Sequence, residues 1–377
     1  MKTVVSIVLN DFTHDSRVLK ENISLKNAGY SPIVVALHEP GLSELDSRDG
    51  IGIRRIRLIT KKLGKNLIFQ LLKYFEFILR VAVEFKDYDV FHCNDLNTLP
   101  VGVLIKLIFN RKASLIYDAH ELETDLAGET KFRKTLAKLL ERVLIKFSDH
   151  IFVVSESIAD WYEHTYKISR PTVILNAPRA FPVQKSNYLR EYLKIPNDQK
   201  ILVYVGRITS GRGVELLLKA FAQRPKTDCV VVFLGYGPLK DLVLQFAKDY
   251  SNIHYHHAVP ENEVLPIIAS ADAGAHFIEN ACLSYYFCLP NKLFECAMAG
   301  LPCVVSDLKE MKRFVVAHEI GLVVKEMTPH AINEVIDQLL KSDLFKMGEN
   351  ARKVAEENSW EKQEIKMLTA YNELAEK

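Results

Sequence analysis

Two arginines stand on either side of a glycine-rich turn in the segment LVYVGRITSGRGVELL, in the carboxyl half of the chain. The pattern predicts a strand that ends at Val205 and a helix that begins near Val214, with glycines shaping the turn between them. Arg207 and Arg212 would then place two permanent positive charges close enough to bind one diphosphate. An ordinary strand–loop–helix with two solvated arginines explains this segment equally well.

A second segment, SYYFCLPNKLFECAMAG, carries residue types that bind an anion next to hydroxyl groups. Pro290 predicts the first position of a helix, where the following amides point outward and the helix dipole favours a phosphate. Glu295 lies more than one turn further along, so its carboxylate can accept hydrogen bonds from hydroxyls beside that phosphate. A phosphate next to vicinal hydroxyls describes a nucleotide.

Short β-branched runs alternate with helical patterns along the whole chain. Near-continuous apolar strands between helices indicate parallel sheets that are covered on both faces. The polar segment 176–199 separates two series of strands and predicts a linker, so we expect two doubly wound domains with the ligand site between them. The predicted strands are 3–9, 33–37, 90–92, 114–117, 151–154 and 172–175 in the first series, and 201–205, 229–234, 253–256, 273–276, 302–305 and 321–324 in the second.

Composition narrows the function classes further. The 377 residues are 48% hydrophobic and 25% charged, which is ordinary for a globular protein, and the net charge of +2 argues against generalised nucleic-acid binding. The six cysteines show no CxxC and no zinc spacing, so they predict reduced thiols in a cytosolic protein. The opening run MKTVVSIVLND is too short for a secretion signal and predicts a buried strand.

Several segments, taken in order, resemble one enzyme family. GRITSGRG, FLGYGPLK, HHAVPENEVLPIIASADAG, LPNKLFECAMAGLPCVVSD and IGLVV resemble the carboxyl domain of the family-4 retaining glycosyltransferases (glycosyl transferases group 1). DFTHDSRVLKENISLKNAGY, FHCNDLNTLPVGVLIK, LIYDAHELETD and VILNAP resemble their amino domain. The resemblance implies the α/β GT-B fold of two facing Rossmann-like domains: an acceptor-side domain over 1–178, a nucleotide-sugar domain over 179–358, and a helix over 359–377 that returns to the first domain.

The resemblance also implies a role for each matching residue. Arg207 matches the arginine of the family's R-x4-K pair, and Arg212 stands where lysine is usual. Glu295 matches the second glutamate of the E-x7-E motif, which binds the ribose hydroxyls, whereas the first glutamate falls at Phe287 and is missing. His120 matches the histidine beside the transferred sugar and the leaving phosphate. The remaining donor-binding residues are Gly206, Gly235, Gly237, Asn291, Lys292 and Leu293.

Weaker candidates complete the predicted site. The backbone amides of residues 287–289, Glu279 or Ser284 could hold the donor sugar in place of the missing glutamate. On the acceptor side, Asn10, Asp11 and His14 follow the first strand, where they could contact acceptor hydroxyls or cap the helix predicted over 16–28.

Metal ligation is not predicted. His254 and His256 alternate on one face of a strand, but no carboxylate or cysteine is spaced to complete a site with them. Asp118 flanks His120, and His92 and Asp95 close a strand, where a structural role is expected. The donor half has no DxD-type cluster, so we expect two arginines to replace a divalent metal at the leaving group.

Two basic, apolar segments bear on the acceptor. From residue 54 to residue 80 there are eight basic residues and one acidic residue, interleaved with LIFQLLKYFEFIL. A second helix over 131–147 carries an apolar stripe beside lysines and arginines. Such helices can lie on an anionic membrane surface, although Rossmann helices also need one apolar and one solvated face.

Together these observations predict a metal-independent, retaining glycosyltransferase without a cofactor. Its donor would be a nucleotide diphosphate-sugar, and its acceptor a glycan or lipid-linked hydroxyl in cell-surface polysaccharide or glycolipid synthesis. We expect it in the cytoplasm or on the inner face of the plasma membrane. A GT-B sugar-nucleotide epimerase and a catalytically silent GT-B partner subunit are the alternatives.

Overall fold

The computed structural model describes residues 2–64, 66–224 and 228–375, which form two compact units. Unit 1 comprises Met1–Ile174 and Glu364–Lys377, and unit 2 comprises Leu175–Gln363. The division falls close to the domain boundary expected from the sequence. Lys65, one of the basic residues counted above, and the last two residues of the predicted final helix lie outside the described residues.

Unit 1 contains an eight-stranded sheet in the order β3-β4-β2-β1-β5-β6-β7-β8, parallel except where β3 pairs with β4. Its strands are β1 (Thr3–Ile7), β2 (Ser31–Leu37), β3 (Leu45–Arg48), β4 (Ile51–Ile56), β5 (Val90–Asn94), β6 (Ser114–Ala119), β7 (His150–Val153) and β8 (Thr172–Val173). Its helices are α1 (Ser16–Asn27), α2 (Leu67–Phe85), α3 (Leu99–Leu104), α4 (Lys131–Leu144) and α5 (Glu156–Tyr166).

The hairpin of β3 and β4 was not predicted. Asp49 and Gly50 join the two strands, and both have positive φ angles, of 51° and 75°. This backbone is that of the tight hairpin turn that Asp-Gly favours. The Asp-Gly dipeptide could therefore have indicated the hairpin. The short strands on either side of it were missed because the sequence around the dipeptide is charged.

Unit 2 contains a six-stranded parallel sheet in the order β11-β10-β9-β12-β13-β14. Its strands are β9 (Lys200–Arg207), β10 (Cys229–Tyr236), β11 (Ile253–His257), β12 (Ala273–His276), β13 (Cys303–Ser306) and β14 (Gly321–Val324). Its helices are α6 (Tyr188–Leu193), α7 (Val214–Ala222), α8 (Lys240–Asp249), α9 (Glu261–Ile268), α10 (Leu283–Tyr286), α11 (Asn291–Met298), α12 (Lys309–Ala317), α13 (Pro329–Lys341) and α14 (Leu344–Glu357). The last helix, α15 (Trp360–Ala375), is shared between the two units.

The segment predicted as a linker, 176–199, is partly ordered structure. It contains α6, whose Leu189 is completely buried and donates its backbone N–H to Ser270 Oγ at 3.1 Å. Polar and proline-rich composition concealed this helix because only one of its residues enters the core.

Both faces of the unit 2 sheet are buried, as the apolar strands predicted. Along β9, Val203 and Val205 belong to one core cluster, while Leu202 and Tyr204 belong to the cluster on the opposite face. Strands buried on both faces leave the loops at their ends as the places where polar chemistry can occur. The loops after β9, β10 and β12 all emerge at the carboxyl edge of this sheet.

Candidate functional site

The glycines at the carboxyl ends of β9 and β10 are required by close contact between the two neighbouring backbones. A Cβ atom on Gly235 would lie 1.8 Å from the carbonyl oxygen of Gly206, and one on Gly237 would lie 2.2 Å from that of Ile208. The family resemblance implies that these glycines bind the donor. The structure gives a different primary cause, since any side chain here would overlap the neighbouring backbone.

The two arginines predicted to bind a diphosphate lie at the end of β9 and in the loop that follows it. Arg207 is the last residue of β9 and is exposed, and Arg212 lies between two glycines with positive φ angles of 79° and 67°. The Arg212 guanidinium lies 4.9 Å from the centroid of the Tyr285 ring. A cation placed over an aromatic face is restrained in position and keeps its charge.

Helix α11 begins one residue later than predicted. Pro290 is the N-cap, with φ of −70° and ψ of 140°, and no side-chain cap bond is seen there among the described residues. Asn291 is the first helical residue, and the Leu293 N–H donates to the Pro290 carbonyl at 3.0 Å. Proline is suited to the cap because it fixes the extended entry of the chain without offering a further N–H. The first turn of α11 therefore keeps the geometry that favours an anion.

Glu295 is buried, with 8% of its surface exposed, and Lys292 neutralises it. Lys292 Nζ lies 2.8 Å from Oε1 and 3.0 Å from Oε2 of Glu295. Lys292 is a predicted donor-binding residue, but its contact with the Glu295 side chain was not predicted. The K-x-x-E spacing could have indicated it, because residues three apart lie on the same face of a helix.

At the position of the missing glutamate, the aromatic ring of Phe287 contacts a lysine. Phe287 has Lys309 Nζ at 5.4 Å from its ring centroid. The suggestion that amides of residues 287–289 bind the donor sugar is wrong for two of them, since the N–H groups of Phe287 and Cys288 donate to the carbonyls of Leu283 and Tyr285. Ser284, another candidate, is 2% exposed.

Glu279 is better placed than these alternatives. Its backbone N–H donates to the Gly211 carbonyl at 3.0 Å, which fixes it beside the loop that carries Arg212. Glu279 is only partly buried.

In unit 1, His120 lies against two carboxylates at the end of β6. Its backbone N–H donates to Asp95 Oδ1 at 3.1 Å, its Nδ1 lies 3.8 Å from the same oxygen, and its Nε2 lies 3.4 Å from Asp118 Oδ2. Burial alone would lower the pKa of His120, but the two carboxylates outweigh it and raise that pKa to about 10. His120 is therefore positively charged at neutral pH.

A buried ionic network lies beneath this histidine. Arg17 Nη2 donates to both oxygens of Asp118, at 3.0 and 2.9 Å, and Arg17 Nε lies 2.9 Å from Glu21 Oε1. Burial tends to raise the pKa of Asp118, but the Arg17 charge and His120 hold it well below its usual range. Burial raises the pKa of Glu21 to about 8, although Arg17 opposes it. His92 completes the network, with Nε2 3.5 Å from Asp118 Oδ2.

Sequence reasoning missed Arg17 and Glu21 and gave Asp95 a purely structural role. Asp95 instead lies directly against His120, and its own backbone is left-handed, with φ of 65°. Arg17, Glu21 and Asp95 are all far from His120 along the chain, so no spacing signal could have joined them to it.

The loop after β1 is organised by its own side chains. Asn10 Oδ1 accepts from the Phe12 N–H at 2.8 Å, and Asp11 Oδ1 accepts from the Thr13 N–H at 3.0 Å. The residue that caps α1 is Asp15, which accepts from the Val18 N–H and receives a hydrogen bond from the Asn10 amide. Thus neither Asn10 nor Asp11 is the cap that we had considered, and the exposed His14 is the residue of the three best able to reach a ligand.

Two groups of potential metal ligands occur among the described residues, and neither was predicted. Glu21, Asp118 and His120 offer atoms within 4.8 Å of one another, as do His276, Cys296 and Cys303. In the first group Arg17 already supplies the positive charge to Asp118. The second group lies in the core of unit 2, with His276 Nε2 3.2 Å from Cys296 Sγ. His254 and His256 fall in neither group, and His256 Nε2 contacts the Tyr188 hydroxyl at 3.1 Å.

Helices α2 and α4 of unit 1 expose many large apolar side chains next to basic ones. The basic residues on α4 are Lys131, Arg133, Lys134, Lys138 and Arg142, and its one acidic residue, Glu141, is buried against three tyrosine hydroxyls. None of the described helices combines the length and the apolarity that a membrane crossing requires. The exposed apolar residues are Leu67, Ile68, Leu71, Leu72, Phe75, Leu79 and Val83 on α2, and Phe132, Leu136, Leu139, Leu140 and Val143 on α4.

Comparison with known proteins matches both halves of the chain. Residues 186–358 match the family model "Glycosyl transferases group 1", and residues 23–177 match "Glycosyltransferase Family 4". The chain is 25% identical over 285 residues to an uncharacterized glycosyltransferase of Methanocaldococcus jannaschii, covering 71% of this chain and 69% of that protein.

Solved structures agree on the fold over the whole chain. Sucrose-phosphate synthase from Thermosynechococcus elongatus superposes with a TM-score of 0.82 at 19% identity, covering 100% of this chain and 99% of that one. HepE of Anabaena, solved with UDP-glucose, superposes with a TM-score of 0.73 at 14% identity and the same coverage.

Proposed function

We propose that this chain, which belongs to the GT-B glycosyltransferases, transfers a sugar from a nucleotide diphosphate-sugar to an acceptor hydroxyl with retention of configuration. Its amino half matches the Family 4 model and its carboxyl half matches the group 1 model. The donor site is best supported by the set of charged residues at the carboxyl edge of the unit 2 sheet. There Arg207 ends β9 and Arg212 lies in the loop that follows it, and the Lys292–Glu295 pair lies in the first turns of α11. HepE binds UDP-glucose, so UDP-glucose is the first donor to test.

In this mechanism the donor loop carries the charge of the leaving group. The bond between the sugar and the diphosphate breaks, and Arg207 and Arg212 stabilise the negative charge that develops on the phosphate oxygens. The first turn of α11 adds its dipole and its outward amides. Two guanidinium groups supply permanent positive charge at this loop, so the proposed reaction needs no divalent cation.

Glu295 positions the nucleotide through its ribose. Lys292 Nζ donates to both oxygens of this carboxylate, at 2.8 and 3.0 Å. A carboxylate accepts more than two hydrogen bonds, so hydroxyls can be added without breaking that pair. Glu279, fixed to the Gly211 carbonyl, replaces the missing first glutamate and binds hydroxyls of the donor sugar.

His120 acts from unit 1 as a charged hydrogen-bond donor. Its pKa of about 10 keeps it protonated at neutral pH. A protonated imidazole can bind a sugar hydroxyl and stabilise negative charge that develops near it. Asp95 and Asp118 fix its orientation.

Unit 1 receives the acceptor, for which we propose a glycan or lipid-linked hydroxyl in cell-surface polysaccharide or glycolipid synthesis. The exposed apolar and basic side chains of α2 and α4 support attachment to the inner face of the plasma membrane. Apolar residues at that surface would enter the headgroup region, while lysines and arginines attract anionic lipids.

A panel of labelled sugar nucleotides, beginning with UDP-glucose, tests the proposal. Incubation with a membrane extract should give a labelled glycolipid or glycan, and Arg207→Ala should abolish most of that product. Lys219→Ala is the matched control, because it removes an exposed positive charge from α7 of the same unit without touching the donor loop. Isomerisation of the sugar nucleotide would indicate an epimerase, and binding without turnover would indicate a silent subunit; either result would refute transfer.

A further inference from the structure

A cavity of about 340 Å³ lies within unit 1, between α2, α4 and the loops that follow β5 and β6. Its volume is in the range of small-molecule binding sites. The apolar part of its wall is formed by Leu96, Leu126, Leu136, Ala137 and Leu140.

The cavity is continuous with the exposed apolar surface of α4. Leu136 and Leu140 line the cavity, and they are also 54% and 42% exposed. These two residues belong to the apolar surface of α4 described above. An apolar chain lying along that surface can therefore enter the cavity without crossing a polar barrier.

The polar groups of the cavity suit an anionic head next to that chain. Arg133 lines it and is 65% exposed, and its ion pair with Glu129 has a distance of 3.3 Å. Lys134 also lines it, paired with Asp125. Two acidic residues also line the cavity. Burial raises the pKa of Glu123 to about 8, so this carboxyl is largely protonated at pH 7. Glu129 is the exposed partner of Arg133, and exposed ion pairs are weak enough for a phosphate to replace that carboxylate.

The cavity adjoins the residues that surround His120. Leu96 and Asn97 follow Asp95 directly, and Glu123 comes three residues after His120. The same two loops therefore build the cavity wall and hold the Asp95–His120 contact. A head group bound at the cavity would have its hydroxyls close to His120.

We propose that this cavity binds the chain segment nearest the head group of an acceptor glycan linked to an alkyl or prenyl phosphate, with Arg133 contacting the phosphate. The inference rests on the proposed function, and it narrows the acceptor to an amphiphile with an anionic head. An uncharged or fully polar acceptor would leave the apolar wall without a partner.

Isothermal titration of the full chain with alkyl phosphates, below their micelle concentrations, provides the test. In the wild-type protein, affinity should rise by up to about fourfold for each added methylene group until the cavity is filled, because each buried CH₂ contributes on that order. Decyl phosphate should bind at one site per chain, and inorganic phosphate should not bind measurably.

Matched variants locate the site. Ala137→Phe fills the cavity and should weaken decyl phosphate binding at least about tenfold. Ile365→Phe adds a similar ring at an exposed position of α15 that does not line the cavity, and should leave binding unchanged. Arg133→Gln should weaken decyl phosphate binding, while Arg111→Gln, at an exposed position before β6 that does not line the cavity, should not.

Each contrary result has a distinct meaning. Equal binding by Ala137→Phe and wild type would place the amphiphile elsewhere. If that variant does not fold, the chain-length series in the wild type still shows whether an apolar cavity binds the amphiphile. Normal UDP binding without any alkyl phosphate binding would overturn the inference and leave the proposed function intact. If no nucleotide of the panel binds, the proposed function itself fails.

Discussion

The charge on His120 depends on Asp95, and Asp95→Asn isolates that dependence. Asparagine keeps the side-chain oxygen that accepts the His120 backbone N–H, so the loop geometry is preserved while one negative charge is removed. Asp118 remains, but its charge is already shared with Arg17, which donates to both of its oxygens. We therefore expect the pKa of His120 to fall in the variant.

The distance sets the size of this change. His120 Nδ1 and Asp95 Oδ1 are 3.8 Å apart, and two unit charges at that distance interact by about 4 kcal/mol at an effective dielectric constant of about 20. This corresponds to a change of roughly 3 in pKa. The side chains are 18% and 29% exposed, so solvent screening reduces the change to about 2–3. The pKa of His120 should fall from about 10 to roughly 7–8.

The same substitution changes how stability depends on pH. A histidine whose pKa is raised in the folded state stabilises the fold fully below its unfolded pKa of about 6.5, and this contribution is lost as the pH rises through about 10. In Asp95→Asn that contribution should be smaller and should disappear at lower pH. Unfolding measured in urea across this pH range should therefore show a flatter alkaline decline for the variant than for the wild type.

NMR titration of the histidine Cε1–H signals measures the pKa directly. The chain has 12 histidines, so the His120 signal is assigned as the one that disappears in His120→Gln. A wild-type pKa at or below 6.5, or the same pKa in Asp95→Asn and wild type, would refute the electrostatic account of this site. Asp89→Asn serves as control, since it removes a carboxylate that bonds to Thr3 at the opposite end of the sheet.

Three further predictions concern the donor site. Arg207→Ala and Arg212→Ala should each cost about 2–4 kcal/mol of transition-state stabilisation, measured from kcat/KM, whereas Arg212→Lys should be mild; wild-type turnover in both alanine variants would contradict the phosphate assignment. Glu295→Gln should weaken UDP binding by about tenfold or more in calorimetry, with a melting temperature that shows the fold intact, and unchanged affinity would move the ribose elsewhere. Activity should persist in EDTA, because two guanidinium groups carry the leaving-group charge; a metal requirement would refute that mechanism.

The parts of the fold that could be predicted are those with a local signal. Most strands of the two parallel series have buried, β-branched runs, although β12 (Ala273–His276) has none, and the predicted strands of unit 2 agree with the structure to within two residues at each end. The donor loop was equally accessible, because Arg207, Arg212 and the helix start at Pro290 lie within short, recognisable segments. The alternation of these elements predicted two doubly wound domains, and the resemblance to the family implied the GT-B topology.

The parts that could not be predicted depend on contacts between distant residues. Arg17, Asp118 and His92 meet only because β5 and β6 are neighbours and α1 packs against them. The grouping of His276 with Cys296 arises in the same way, from β12 and α11. No spacing rule covers such pairs, since the sequence separation carries no information about sheet order.

The buried network explains why His120 is charged although burial opposes that charge. Arg17 compensates Asp118 with three hydrogen bonds, and that pair is almost completely removed from solvent. Asp95 has no such arginine partner in the described structure, so the positive charge that balances it must come from His120. A histidine that balanced only Asp118 would compete with Arg17 and would lose its proton near neutral pH. Both aspartates therefore raise the pKa of His120, and Asp95 contributes more because Arg17 already balances much of the Asp118 charge.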